Sequence, residues 1–147
     1  MILGKQKQKH GEDIFIRIFE KKPVTKQLFP FRDVEGEDLL RNPLFCSHAK
    51  RFMHAIEITI QNLDALDVAL VPVLYRLGEK HGWIDGFKKE YLPVFTGSIQ
   101  EVFAEALGTK CTKQVREAWG HLGRFIGEKM HEGYLNAQVA RKKSLVT

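Results

Sequence analysis

Apolar residues along this chain recur at intervals of three and four almost from end to end, and no sustained period-two alternation lies between turn signals. Residues three and four apart share one side of an α-helix, so the pattern predicts an all-α fold. The first stripe, Ile14, Phe15, Ile18 and Phe19, belongs to a helix from about Gly11 to Lys22. Pro23 stops it and restarts a short helix toward Phe29, and "PFRDVEGEDLLR", residues 30–41, reads as a connecting corner. Asn42 and Pro43 mark the next start, one as an N-cap side chain and the other as a ring with φ preset for the first helical position. The helix that follows carries Phe45, His48, Ala49, Phe52, Ile56, Ile60 and Leu63 on one broad face. Pro72 opens a short helix ending near His81 and Gly82, where glycine suits a left-handed terminus. Asp85 is a candidate cap for a helix that places Phe87, Tyr91, Phe95, Ile99, Val102, Phe103 and Ala106 together, with Pro93 expected to bend it or open a backbone hydrogen bond. Thr112 caps the last and longest stripe, Val115, Trp119, Leu122, Ile126 and Met130, after which the final dozen residues read as frayed.

This organisation divides the chain into a basic N-terminal segment over 1–10, one helical domain over 11–134 and a basic tail over 135–147. At 147 residues, 44% hydrophobic and 28% charged, it is long enough to bury a core without disulfide or metal staples. The longest apolar run, "VALVPVLY", is too short to span a bilayer, and "MILGKQKQKHGEDI" carries no secretory or myristoylation signal, so a cytoplasmic protein with no transmembrane segment is expected. Net charge is +5, but the excess is concentrated at the two ends, in seven Lys or Arg against three acids over residues 1–27 and in "RKKSL" near the end. Basic and acidic residues alternate between them, which is the pattern of solvated helix faces rather than of a nucleic-acid surface. Cys46 and Cys111 make no disulfide framework and are expected to be reduced.

Of the six histidines, His10 precedes a helix in a basic segment, His121 and His131 lie off the last apolar stripe, and His54 points away from the face of Phe52 and Ile56, so these four are expected in solvent. His48 differs, because it stands on the apolar face one turn before Phe52. His81 differs as well, since Leu74 and Leu77 precede it at helical spacing. The Leu77 carbonyl, one turn back, is placed to accept the proton of one ring nitrogen and so strengthen the other as a donor. No spacing of a zincin or a zinc finger accompanies them. The supply of flat apolar side chains is large instead: Phe15, Phe29, Phe31, Phe45, Phe52, Phe87 and Phe95. Such a wall suits a flat hydrophobic cofactor with a metal at its centre.

"HGEDIFIRIFEKKPVTKQLFPFRD", "NPLFCSHAKRFMHAI", "LYRLGEKHGW" and "FKKEYLPVF", in this order and at these distances, resemble the globins, and the "FPFRDV" corner is most similar to intracellular globins of invertebrates. The resemblance covers about residues 10–134 and implies a globin fold whose first helix is short or missing. It further implies haem b, with His81 as the proximal ligand of the iron and His48 as the distal histidine. Phe29 takes the place of the phenylalanine that packs on the haem, Phe15 and Phe52 wall the distal side, and Arg51 stands where the family often meets a haem propionate. Leu77, Phe87, Leu92 and Phe95 would line the proximal side and the back. No Cys-x-x-Cys-His sequence is present, so the cofactor is expected to be held noncovalently.

Three functions follow from this resemblance and its absence. In one, His48 closes the sixth position of the iron, giving a bis-histidyl protein for electron transfer or for redox or gas sensing with a redox partner. In the second, that position is open and His48 donates to dioxygen or another diatomic gas in reversible binding and transport. In the third, the chain is a haem-free helical interaction domain. No reductase domain or nucleotide motif accompanies the haem module, so no enzyme activity is expected. Phe15 and Phe52, bulky and without hydrogen-bonding groups, leave His48 as the evident polar group of the distal side and favour the first reading.

Overall fold

The computed structural model describes residues 6–146; the first five residues of the expected basic segment and Thr147 of the tail lie outside the described residues. Among the described residues the chain is helical with no strand. It runs through α1 (Lys7–Lys21), a 3-10 turn Pro23–Leu28, α2 (Gly36–Arg41) and α3 (Pro43–Gln61). A 3-10 turn Leu63–Ala65 and a π-helical turn Leu66–Leu70 then lead to α4 (Val71–Gly82), α5 (Tyr91–Leu107) and α6 (Lys113–Val146). No helix among the described residues is long and apolar enough to cross a membrane.

The expected punctuation operates at α3 and α6. The Asn42 side chain accepts from the backbone N–H groups of Leu44 and Phe45 at 3.0 and 3.2 Å, and Thr112 Oγ1 accepts from Val115 N–H at 3.2 Å, each satisfying donors that the first turn leaves unpaired. Elsewhere the boundaries move. α1 begins at Lys7, which takes His10 and Gly11 into the helix, and the corner over 30–41 contains α2, with Glu37 and Asp38 in its first turn and Arg41 in its last to oppose the helix dipole. Asp85 caps nothing, because α5 starts only at Tyr91, and Pro93 therefore falls in a first turn where its missing N–H has no carbonyl to serve. No kink is needed there. The expected frayed tail is instead the last part of α6, a helix of 34 residues.

Ile14, Phe45, Ala49, Met53 and Phe103 form the fully buried centre, where α1 crosses α3 and α5; burying each of the large side chains contributes roughly 1.5–3 kcal/mol. The second block is α4 on α6, with α5 also packed on α6. Each block has a crossing at which two backbones meet. A Cβ on Gly11 of α1 would lie 2.9 Å from the Ala49 carbonyl oxygen of α3, one residue after His48. On α4, a Cβ at Gly78 would lie 1.9 Å from the Met130 carbonyl oxygen, and on α6 a Cβ at Gly133 would lie 1.9 Å from that of Tyr75. Gly82 belongs to the same crossing, not to a left-handed terminus: it is the last helical residue of α4, its φ is not positive, and its missing Cβ makes room for Ala137. Thus α3 with His48 is fixed on α1, and α4 with His81 is fixed on α6.

Candidate functional site

Between the two blocks lies a cavity of about 420 Å³, within the range of small-molecule and cofactor sites. Phe15, Phe29, His48, Arg51, Phe52, Leu77, His81, Phe87, Leu92 and Phe95, the ten residues singled out in the sequence, all line it. α1 supplies Phe15, the turn before α2 supplies Phe29, α3 brings His48, Arg51 and Phe52 one turn apart, α4 provides Leu77 and His81, the segment between α4 and α5 provides Phe87, and α5 provides Leu92 and Phe95. Phe31 and Phe45 do not reach the cavity. Phe31 stacks behind Phe29 at 4.9 Å and meets Phe45 edge-on at 5.5 Å, and both are core residues that support the wall.

The rings are arranged edge to face around the two histidines. His48 stands between Phe15 and Phe29, at centroid distances of 4.8 and 4.9 Å, and Phe52 bridges Phe15 at 5.2 Å to Phe95 at 5.0 Å. His81 packs on Phe87 at 5.1 Å. Its Nδ1 lies 2.7 Å from the Leu77 carbonyl oxygen, which can only accept, so Nδ1 carries the proton and Nε2 keeps the lone pair. Burial disfavours charge on the His81 ring and lowers its pKa, against which the Leu77 bond acts. His48 is pushed down from 6.5 to about 4, first by burial and then by the charges of Arg51 and His81. Two neutral imidazoles thus border one apolar space, each able to offer a nitrogen lone pair.

Other contributors were hidden by the sequence. Ile56 and Tyr91 follow the stripes already traced, and Ile126 and Met130 lie on the stripe of α6, but nothing assigned those residues to this cavity. Lys80 also borders it, on the turn of His81, so Arg51 from α3 and Lys80 from α4 give the cavity two cations and no carboxylate. Among the remaining histidines, His54 is exposed beside Glu57, and His121 is exposed with Arg124 2.7 Å from its Nδ1. His10 and His131 depart from expectation. His10 is buried edge-on against Phe103, a partner from the distant α5, and His131 is half-buried, stacked on Tyr134 with its Nε2 out of solvent. Cys46 and Cys111 are free thiols, and among the described residues no group of three metal-binding side chains exists.

The cavity fits a porphyrin on three counts: size, a wall of aromatic and aliphatic side chains, and a histidine whose donor nitrogen is fixed by its other hydrogen bond. Its two cations suit acidic substituents on such a ligand.

Comparison with known proteins agrees. The Globin family model matches residues 12–130. Neuroglobin-1 of Oncorhynchus mykiss is 31% identical over 134 residues, covering 90% of this chain and 83% of that protein. Among solved structures, a hexacoordinated heme protein from an anhydrobiotic tardigrade, at pH 4, superposes with a TM-score of 0.80 at 22% identity, over 86% of this chain and 82% of its own. The hemoglobin of the botfly Gasterophilus intestinalis follows at 0.78 and 16%, over 91% and 90%. These two likenesses establish the fold.

Proposed function

The chain belongs to the globin family, whose members bind haem and diatomic gases, and from that premise we propose that it holds one noncovalent haem b between His81 and His48, closed at both axial positions in the resting state. When bound, haem supplies an iron whose redox state and sixth position can be read by an electron partner or a gas. His81, with Nδ1 held by the Leu77 carbonyl, presents Nε2 as the proximal donor. Arg51 and Lys80, both on the cavity lining, would meet the acidic substituents of the porphyrin, and the phenylalanine wall would exclude water from it.

The observation that carries the six-coordinate reading is the setting of His48. Its ring is gripped edge-on by Phe15 and Phe29, it has no hydrogen-bond partner among the described residues, and burial beside the Arg51 charge keeps it neutral down to about pH 4. A neutral imidazole so placed carries an unused lone pair facing the same space as His81. The tardigrade protein is hexacoordinated, and the same coordination is proposed here on the surroundings of His48 itself. A gas must then displace an internal ligand, which lowers its apparent affinity by the fraction of iron that is open and suits sensing or electron transfer better than bulk carriage. We place this activity in the cytosol.

The visible spectrum of the ferrous protein is the test. A low-spin six-coordinate spectrum is expected, and His48→Leu should convert it to five-coordinate high-spin and speed carbon monoxide binding. A wild-type ferrous protein that is already high-spin overturns the reading and makes His48 the donor to a bound gas in a reversible oxygen-binding globin. A chain that takes up no haem on reconstitution leaves the helical interaction domain.

A further inference from the structure

The family match ends at residue 130, yet α6 continues to Val146, and this continuation is built onto the end of the helix that carries His81. α4 terminates one residue after that histidine. The carbonyls of its last turn have no helical partners, and two are recovered locally, Lys80 by Trp83 N–H at 3.2 Å and His81 by Ile84 N–H at 3.1 Å. The Gly82 carbonyl is met from α6 instead. Gln138 Nε2 donates to it at 2.8 Å and Arg141 Nη1 at 3.0 Å, while Arg141 Nη2 donates to Asp85 Oδ1 at 2.7 Å. The same guanidinium lies 5.8 Å over the ring of Trp83. Arg141 therefore ties together three consecutive features of the chain after His81: the carbonyl of residue 82, the ring of residue 83 and the carboxylate of residue 85. Its charge also opposes the negative end of the α4 dipole.

We propose that Arg141, assisted by Gln138, is a positioning residue for His81, locking the last turn of α4 onto α6 and thereby fixing the direction in which the His81 ring offers its donor nitrogen to the cavity. The inference rests on the reading of His81 as the iron ligand. Ring direction follows from this clamp because the Leu77 bond fixes the ring only relative to α4, and α4 must itself be fixed relative to the cavity. The glycine crossing at Gly78 and Gly133 sets the distance between α4 and α6 one turn earlier, and beside it Tyr134 Oη donates to the Phe87 carbonyl at 3.5 Å, beyond the end of α4. Gln138 and Arg141 supply the side-chain bonds to the last residue of α4 itself.

The test uses the full chain reconstituted with haem. Haem release to an excess of a scavenging apoprotein is measured for Arg141→Ala, Gln138→Ala and the double variant. The ferrous iron–histidine stretch is recorded by resonance Raman in a His48→Leu background, where His81 is the single axial ligand. Removing a partner bonded directly to a ligand typically costs 10–100-fold in metal affinity, and these two act one step further out, so the double variant should release haem no more than roughly 10-fold faster and show a shifted, broadened stretch. Asn136→Ala is the control, since it deletes the 3.1 Å bond from Asn136 to Glu79 between the same two helices without touching Gly82. It should leave the stretch in place. Arg141→Lys, which keeps the charge and one donor but not the fork, should give an intermediate shift and remains informative if the double variant fails to fold. An unshifted stretch in Arg141→Lys and Gln138→Ala, or an equal shift in Asn136→Ala, overturns the clamp. His81→Ala separates this from failure of the ligand reading: an unchanged haem spectrum in that variant removes His81 as ligand, whereas loss of the spectrum there with no effect at Arg141 and Gln138 removes the clamp alone.

Discussion

Replacing Gly78 by alanine adds one methyl group to α4 and should move His81. In the wild-type chain a Cβ at this position would sit 1.9 Å from the Met130 carbonyl oxygen and 2.8 Å from its Cα, while real Cβ atoms stay beyond 3.0 Å. The obstruction is backbone, so no rotamer change relieves it. The helices must separate by at least the difference between 3.0 and 1.9 Å, which is 1.1 Å, and that strain resembles core overpacking at about 1–3 kcal/mol. Alanine returns up to about 1 kcal/mol of helix propensity, but loosened contacts of Leu74, Ile126 and Met130 oppose this return, leaving a net loss near 2 kcal/mol. For a chain of this size that is roughly 4–8 °C in melting temperature. Thermal denaturation of the haem-free protein followed by circular dichroism measures it, and a Soret titration of the same variant should show weaker haem uptake. Gly97→Ala on α5 is the internal contrast, because nothing lies within 4 Å of the added carbon, and that variant should be stabilised by up to about 1 kcal/mol. If Gly78→Ala is as stable as Gly97→Ala, helix propensity alone governs both sites and the backbone contact of α4 with α6 is wrong.

His81→Ala should abolish stable haem retention, since hydrophobic contact alone then holds the porphyrin; full haem content with an unchanged ferrous spectrum would refute the assignment, and acid-solvent extraction of the wild type should release all its haem. In the haem-free protein, stability should fall as pH drops from about 6.5 to 4. Over that window the unfolded chain binds protons that folded His48, lowered to about 4, and folded His81, lowered in the same direction, still refuse, so the slope has the sign of a neutral buried imidazole. For His48 the limit is about 3 kcal/mol before discounting for its remaining solvent contact. Urea titrations at several pH values should show a shallower loss in His48→Leu, and identical slopes would place His48 in water.

What was legible in the sequence is what periodicity and caps encode locally. Asn42 and Pro43 fixed the register of α3, and once that register is known, His48, Arg51 and Phe52 must share a face. The Leu77 bond to His81 is likewise a property of one turn of helix. Illegible were features that depend on a second element far along the chain. His10 looks solvated until Phe103 is brought against it, and Gly82 looks like a terminator until Ala137 shows that it is a contact. Pro93 seemed to interrupt α5 because Asp85 offered a plausible start, whereas Asp85 is engaged by Arg141 and the helix waits until Tyr91. The charged tail read as frayed for a related reason. Its polar residues satisfy the end of α4, and polarity that serves another helix looks the same in a sequence as polarity that serves water.

The two glycine crossings bear directly on the choice between an open and a closed sixth position. His48 is carried by α3, which Gly11 seats on α1, and His81 is carried by α4, which Gly78 and Gly133 seat on α6. Each histidine is therefore held firmly within its own block, and their separation depends on how the blocks meet. Along the chain, α3 connects to α4 only through a 3-10 turn and a π-helical turn over residues 63–70, where hydrogen bonding departs from the α pattern and Leu63 and Val68 are exposed. Across the cavity α3 meets α5, which packs on both α1 and α6, through phenylalanine edges such as Phe52 on Phe95 at 5.0 Å. Under the proposed function, a shift of α3 against α4 through this joint would change the reach of His48 toward the iron. For the proposed function this offers a physical basis for a reversible internal ligand: burial keeps both imidazoles neutral, the crossings hold the helices that carry them, and the irregular joint is where one of those helices would give way.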